Sequence, residues 1–179
     1  MIIIGASGHG KVVADIAELN GYDDIVFLDA DPTKTECGGH PIVGTDNDCS
    51  DLKGDVFVAI GNAEARKRIM ERESTRNFPV LIHPSAVVAK SAKIGKGCIV
   101  NTCSSVDHDC VLGDFVHVSV GAHLSGTIKV GEETWIGAGV TVNNNLDICG
   151  GCMIGAGAVV VNSIDKAGTY IGIPAALKK

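Results

Sequence analysis

The sequence predicts an α/β unit followed by a three-sided parallel β-helix, and three observations carry that prediction. Aliphatic residues recur at Ile82, Val88, Ile94 and every sixth position on to Val160, without a break in phase. Ahead of them, short apolar runs alternate with stretches of helical spacing. Aromatic residues make up only 4% of the chain, while glycine accounts for 23 of its 179 residues. That composition suits a narrow aliphatic core better than a broad globular one.

The α/β unit is expected over 1–78, with the β-helix over 79–179. An apolar run over 1–4 ends at Gly5-Ala6-Ser7-Gly8-His9-Gly10, after which Val12, Val13, Ile16, Ala17 and Leu19 follow helical spacing until Asn20-Gly21. A second buried strand over 25–28 is closed by Asp29, and a polar loop containing Asp31-Pro32 and Gly38-Gly39 leads to a third strand over 56–60. Gly61-Asn62 and a charged helix over 64–73 complete the unit. Strands alternating with helices imply a parallel sheet.

The second part is a hexapeptide repeat. Each sixth position is Ile, Leu or Val, and four residues after each lies a small or aliphatic residue, as at Ala86, Cys98, Thr134 and Ala158. Glycine often follows the aliphatic, at Gly95, Gly113, Gly131, Gly137 and Gly155, where it is expected to let the chain bend at a corner. With three hexads per turn, Ile94, Leu112, Val130 and Ile148 stack. At about 4.8 Å per stacked strand the column is roughly 20 Å tall.

Formal net charge is -6, which argues against nucleic acid or an anionic membrane as partner. No segment approaches the roughly 18–20 apolar residues of a membrane span, and the N-terminus reads as a strand, not a signal peptide. Seven cysteines in no secreted pattern suggest a cytoplasmic protein with reduced thiols. Cys98, Cys110 and Cys152 fall in the small interior slot and Cys149 at a corner, so Cys149-Gly150-Gly151-Cys152 resembles a metal or redox motif through packing alone. No second pair is placed to complete a zinc site, and no metal is expected.

The glycines of the first loop fall at positions one, four and six, not at one, three and six as in the dinucleotide fingerprint. That spacing counts against a nicotinamide-linked reductase. The loop can still offer backbone N–H groups to a phosphate, Ser7 can add a hydroxyl, and Asp29 can accept from a ribose hydroxyl. A tight turn without a ligand is the alternative. Among six histidines, His40 and His83 precede prolines and read as turn positions. His9 lies in the Gly-rich loop. His108 stands between Asp107 and Asp109 on a corner that faces outward, where a carboxylate can hold one tautomer and raise basicity. A solvated surface histidine is the competing reading. His117 lies half a turn further round, and His123 six residues beyond it carries no assigned role.

With these residues in view, the chain resembles the bacterial UDP-4-amino-sugar N-acetyltransferases of the bacillosamine and perosamine type, and the related sialic acid O-acetyltransferases. The segments that carry the resemblance are 4–10, Phe27-Leu28-Asp29, Ala59-Ile60-Gly61-Asn62, 101–122 and Gly172-Ile173-Pro174-Ala175. It implies a homotrimer of left-handed β-helices, each preceded by a Rossmann-like domain that holds a UDP-amino-sugar, with acetyl-CoA as co-substrate in the groove between neighbours. It further implies that His108 is the general base and Asp109 the acid that tunes it. His117 would help position the acetyl thioester, and Asn101 would lie near the sugar. Gly8, His9, Asp29, Gly61 and Asn62 would contact the nucleotide, and Gly126, Ala138 and Ala156 would line the CoA channel. Two features depart from the family: Asp109 stands where Glu is usual, and the chain is shorter by about three hexads after His83-Pro84-Ser85, a whole turn that leaves the phase intact. A sugar O-acetyltransferase and a non-catalytic nucleotide-sugar-binding protein are the alternatives.

Overall fold

The computed structural model describes residues 1–178 and divides into two compact units, Met1–Leu81 and Ile82–Lys179. In the first unit, β1 (Ile2–Ile4) lies between β2 (Val26–Leu28) and β5 (Val56–Val58), parallel to both. These strands are almost wholly apolar because both faces are covered. Ile2, Ile3, Ile4, Phe27, Leu28 and Val56 are at most 1% exposed. Helix α1 (Gly8–Leu19) sets Val13, Ile16 and Ala17 into the core, and α2 (Ala63–Arg72) adds Ile69 and Met70. Each such aliphatic is worth about 1.5–3 kcal/mol when fully buried.

The polar loop expected between the second and third apolar strands has structure of its own. Strands β3 (Glu36–Cys37) and β4 (His40–Gly44) form an antiparallel hairpin across Gly38 and Gly39, and β4 then joins β2 in parallel. Both glycines have positive φ, at 61° and 85°, the conformation a two-residue hairpin demands. His40 therefore opens a strand, with its Nε2 3.2 Å from Glu18 Oε1. A 3-10 helix (Asp46–Asp51) follows, closed by a capping box in which Thr45 and Asp48 satisfy each other's backbone.

In the second unit the six-residue rhythm becomes three parallel sheets. One face stacks Leu81–Ile82, Ile99–Val100, His117–Val118, Trp135–Ile136 and Met153–Ile154. A second stacks Val87–Val88, Ser105–Val106, His123–Leu124, Thr141–Val142 and Val159–Val160. The third stacks Lys93–Ile94, Val111–Leu112, Lys129–Val130 and Asp147–Ile148. Partners lie eighteen residues apart, as in Val106↔Leu124↔Val142↔Val160, until the last coil, where Met153 pairs with Thr169 and Ile148 bridges to Ile164. The inward aliphatics from Val100 onward are at most 3% exposed. Most small-slot residues are buried as well, and the polar atoms of three are satisfied: Cys98 Sγ donates to Gly113 O, Cys110 Sγ to Ser125 O and Thr134 Oγ1 to Cys149 O, each at 3.1 Å. Burial pushes the Cys98 thiol up to about 12, so it remains a protonated packing group.

The glycines that follow the aliphatics do not turn the corner, contrary to expectation. The left-handed residue comes two positions later: Gly97, Cys103, Asp109, Phe115, Gly121, Thr127, Glu133, Gly139, Asn145, Gly151 and Gly157 all have φ between 54° and 70°. Gly95, Gly113 and Gly131 serve close approach instead. A Cβ on Gly131 would lie 2.7 Å from Gly150 Cα and 2.8 Å from the Cys149 carbonyl carbon, in the coil stacked above. Gly139 is left-handed, but no atom lies within 4 Å of where its Cβ would stand, and Asn145 occupies the equivalent corner with φ 58°. Gly131→Ala should therefore lower stability by about 1–3 kcal/mol, whereas Gly139→Asn should cost under about 1 kcal/mol. Thermal unfolding midpoints of the two variants provide the check, and equal effects would refute the assignment of roles.

Candidate active site

At the corner between the second and third faces, residues 107–109 point away from the column axis. The His108 N–H donates to Asp107 Oδ1 at 2.7 Å, and the Asp109 N–H donates to Ser91 Oγ at 3.0 Å. Asp109 takes the left-handed turn with φ 59°, and its Oδ2 comes to 2.9 Å from His108 Nδ1. The hydrogen bond that His108 donates to Asp109 raises the His108 pKa above its ordinary 6.5, against desolvation and with help from the Asp107 and Asp109 charges. The same bond, with that from Ser91, holds the Asp109 carboxyl low. Nδ1 therefore carries the proton shared with the carboxylate, and Nε2 is left to act as a base.

Gly126 lies one coil on and directly against the imidazole. A Cβ there would stand 2.8 Å from His108 Cδ2 and nearer still to Nε2 and Cε1. The backbone locks the two levels together, since the Thr127 N–H donates to His108 O at 2.8 Å. Only a residue without a side chain lets the ring rest in this position.

The other expected β-helix residues gather elsewhere. Asn101, at the end of its strand on the first face, donates from Nδ2 to Val118 O at 3.1 Å, and the same nitrogen lies 3.2 Å from His117 Nε2. Trp135 stacks on His117 with ring centroids 3.7 Å apart and planes 6° from parallel. Asn101 and His117 are buried, at 4% and 8% exposure. Ala138 and Ala156 stand at successive levels of the corner that follows this face. His123, on the second face, is exposed and shares a 2.9 Å contact with Ser105 Oγ. Within one chain, then, His108, Asp109 and Gly126 form one group and Asn101, His117, Ala138 and Ala156 another.

In the first unit, a cavity of about 310 Å³ is lined by Ser7, Leu28, Asp29, Ile60, Gly61 and Arg68 among others, a volume suited to part of a small ligand. Helix α1 begins at Gly8, inside the Gly-rich segment, so Gly8, His9 and Gly10 supply its first turn. The glycines divide their work. Gly5 has φ 111° and Gly10 packs against Gly5 O, with Phe27 Cε1 3.0 Å from where its Cβ would be. Gly8 has open space around it. Ser7 makes no side-chain cap, and no acidic residue occupies the first turn, which leaves that helix end receptive to an anion.

Asp29 is engaged on both oxygens: Ala6 N–H reaches Oδ2 at 2.7 Å, and Asp31 N–H and Lys34 Nζ reach Oδ1 at 2.9 and 3.1 Å. Burial alone would raise its pKa, but these donors and the Lys34 charge hold it below the carboxylate range. Asn62 caps α2, its Oδ1 accepting from Ala65 N–H at 2.9 Å. Arg66 is buried and donates to Ile60 O at 3.0 Å, which braces the Gly61 turn. Burial, then the Arg66 charge, lowers the His9 pKa to about 4, so His9 is neutral at pH 7. Asp46 and Arg68 also line the cavity and escape a reading of the sequence, because Arg68 sits in a charged run that gives no sign of which residue faces inward. Among the described residues, no group of three or more His, Cys, Asp or Glu could hold a metal ion, and no helix is long and apolar enough to cross a membrane.

Residues 1–72 match the family model of the PglD N-terminal domain. The chain is 35% identical over 106 residues to the UDP-N-acetylbacillosamine N-acetyltransferase of Bacillus subtilis, a match that covers 55% of this chain and 49%, about half, of that relative. The acetyltransferase domain of PglB from Neisseria gonorrhoeae, also solved with acetyl coenzyme A, superposes with a TM-score of 0.85 at 40% identity, over 99% of this chain and 98% of that one. A point mutant of perosamine N-acetyltransferase from Caulobacter crescentus, in complex with CoA and GDP-perosamine, superposes at 0.82 with 30% identity, over 99% and 96%.

Replacing Asp109 by Asn should lower the His108 pKa toward 6.5, because the partner that favours the imidazolium is weakened. Gly126→Ala should do the same by displacing the ring from Asp109. Histidine NMR titrations of both variants test this, and an unmoved His108 would disprove the contact.

Proposed function

The chain belongs to the hexapeptide-repeat family of nucleotide-amino-sugar N-acetyltransferases, and from that premise we propose that it moves an acetyl group from acetyl-CoA to the amino group of a UDP-linked 4-amino-sugar. The observation that carries the proposal is the imidazole of His108, backed by Asp109 at 2.9 Å and seated on Gly126.

In the proposed reaction the sugar amine attacks the thioester carbonyl carbon while His108 Nε2 takes its proton. The tetrahedral intermediate collapses, the C–S bond breaks, and the CoA thiolate leaves, to be protonated by the imidazolium. The Gly126 N–H is assigned to the developing oxyanion. His117 is assigned to positioning the acetyl thioester, Asn101 beside it to the neighbourhood of the sugar, and Ala138 and Ala156 to the wall of the CoA channel. The first unit is read as a Rossmann-like nucleotide-binding domain, with Gly8, His9, Asp29, Gly61 and Asn62 around the nucleotide. Three observations support that reading: a parallel sheet, an unobstructed Gly8 and a cavity bordered by Asp29 and Gly61. Because Asp29 and Asn62 already hold their own loops in place, their proposed part is to shape the pocket as much as to touch the ligand.

The column is read as left-handed and the protein as a homotrimer. The separation of His108 from His117 within one chain supports the trimer, since a neighbouring copy could supply the missing half. All seven cysteines are free thiols, which suits the cytoplasm as the place of action.

A thiol-release assay with acetyl-CoA against UDP-, GDP- and dTDP-linked amino-sugars should show turnover with the UDP-linked acceptor and none with the matching hydroxy-sugars. His108→Ala should lower kcat by about 10²–10⁴ at unchanged oligomeric size. An unaltered rate in the purified variant would remove His108 from the role of base.

A further inference from the structure

The only tryptophan of the chain lies flat on a histidine in a different face from the His108 corner. We propose that Trp135 and Asn101 are positioning residues that fix the ring plane and the tautomer of His117; the functional consequence rests on the reading of His117 as a contact for the acetyl thioester. The tautomer follows from hydrogen-bond bookkeeping. The Asn101 atom 3.1 Å from Val118 O must be the amide nitrogen, because a carbonyl oxygen only accepts. That same nitrogen is 3.2 Å from His117 Nε2. Its two hydrogens serve Val118 O and Nε2, so Nε2 accepts and the ring proton sits on Nδ1. Were Nε2 protonated, two donors would face each other in a buried place.

Trp135 supplies the second constraint. It is the direct ladder partner of His117 in the next coil. With centroids 3.7 Å apart and planes 6° from parallel, the indole blocks the path by which the imidazole would turn over about its Cβ–Cγ bond. A flip must pass through an orientation perpendicular to the stack, and the contact leaves no room for it. Hydrogen bonding thus selects which nitrogen carries the proton, and stacking holds the ring where that choice was made. Such support is what a contact to a reacting group requires, since displacement by about 1 Å can cost up to 10²-fold in rate.

The experiment combines 15N imidazole spectra with acetyl-CoA kinetics on the full chain. The wild type should show His117 as the Nδ1–H tautomer. Asn101→Asp, which puts an acceptor opposite Nε2, should convert it to an Nε2-protonated ring. Trp135→Ala should lower kcat/KM for acetyl-CoA by roughly ten- to a hundredfold, chiefly through KM, with an unchanged unfolding midpoint, and Trp135→Phe should restore most of it. An Nε2–H tautomer in the wild type would overturn the proposal whatever the kinetics. So would a Trp135→Ala enzyme with wild-type kcat/KM. Absence of turnover by the wild type with every amino-sugar would instead strike at the acetyl-transfer reading, and the spectra would still decide the tautomer and its dependence on Asn101 and Trp135.

Discussion

Contact between successive coils, backbone against backbone at eighteen-residue spacing, is the constraint on which the rest of the β-helix depends. It fixes where a side chain is tolerated. At Gly95, Gly113 and Gly131 a single methyl group would run into the main chain of the next level. It also aligns the ladders, so that each N–H and C=O of the short strands finds a partner above and below. Two-residue strands would be negligible alone. They hold here because every coil repeats the same pairing and seals one aliphatic and one small residue inside.

The same constraint builds the chemistry. Each corner needs a left-handed residue, and at one of them that residue is Asp109, a type that tolerates this conformation better than most. The turn brings its carboxylate back to the ring of the preceding residue. One coil further, the lack of a side chain at 126 opens the space into which the imidazole settles. The carboxylate, the imidazole and the space beside them are three consequences of one repeat. A catalytic group on such a corner is preorganised by the fold and needs little packing of its own.

The periodic features were the most legible in the sequence. A strict six-residue rhythm allows few other structures, and it foretold the stacked partners, the interior cysteines and the outward corner at 107–109. Local exceptions were harder. Gly-Gly at 38–39 signalled a hairpin that the short flanking strands disguised, because Glu36-Cys37 shows no alternation to read. The glycines after the aliphatics were visible, but their reason was not, since a clash with a residue eighteen positions away has no local signature. The partners of Asn101, His117 and Val118, were not visible in the sequence. Partners across coils become predictable only when the register is known, and then Asn101, His117 and Trp135 fall on one face at once.

The division of the site follows from the geometry of a triangular column. Residues on one face and residues on the corner two strands away are separated by the aliphatic interior, and no side-chain movement brings them together. On the proposed function, His108 with Asp109 and Gly126 is the half-site that removes a proton, while His117 with Asn101 and Trp135 is the half-site that holds the acyl group. A transfer reaction needs both within a few ångströms. For a rigid column the remaining degree of freedom is the placement of a second copy, and a closed ring of identical columns sets each corner against the same neighbouring face. On the proposed function, assembly is thereby part of the catalytic geometry: an isolated chain carries a well-tuned base with no acyl group opposite it to transfer.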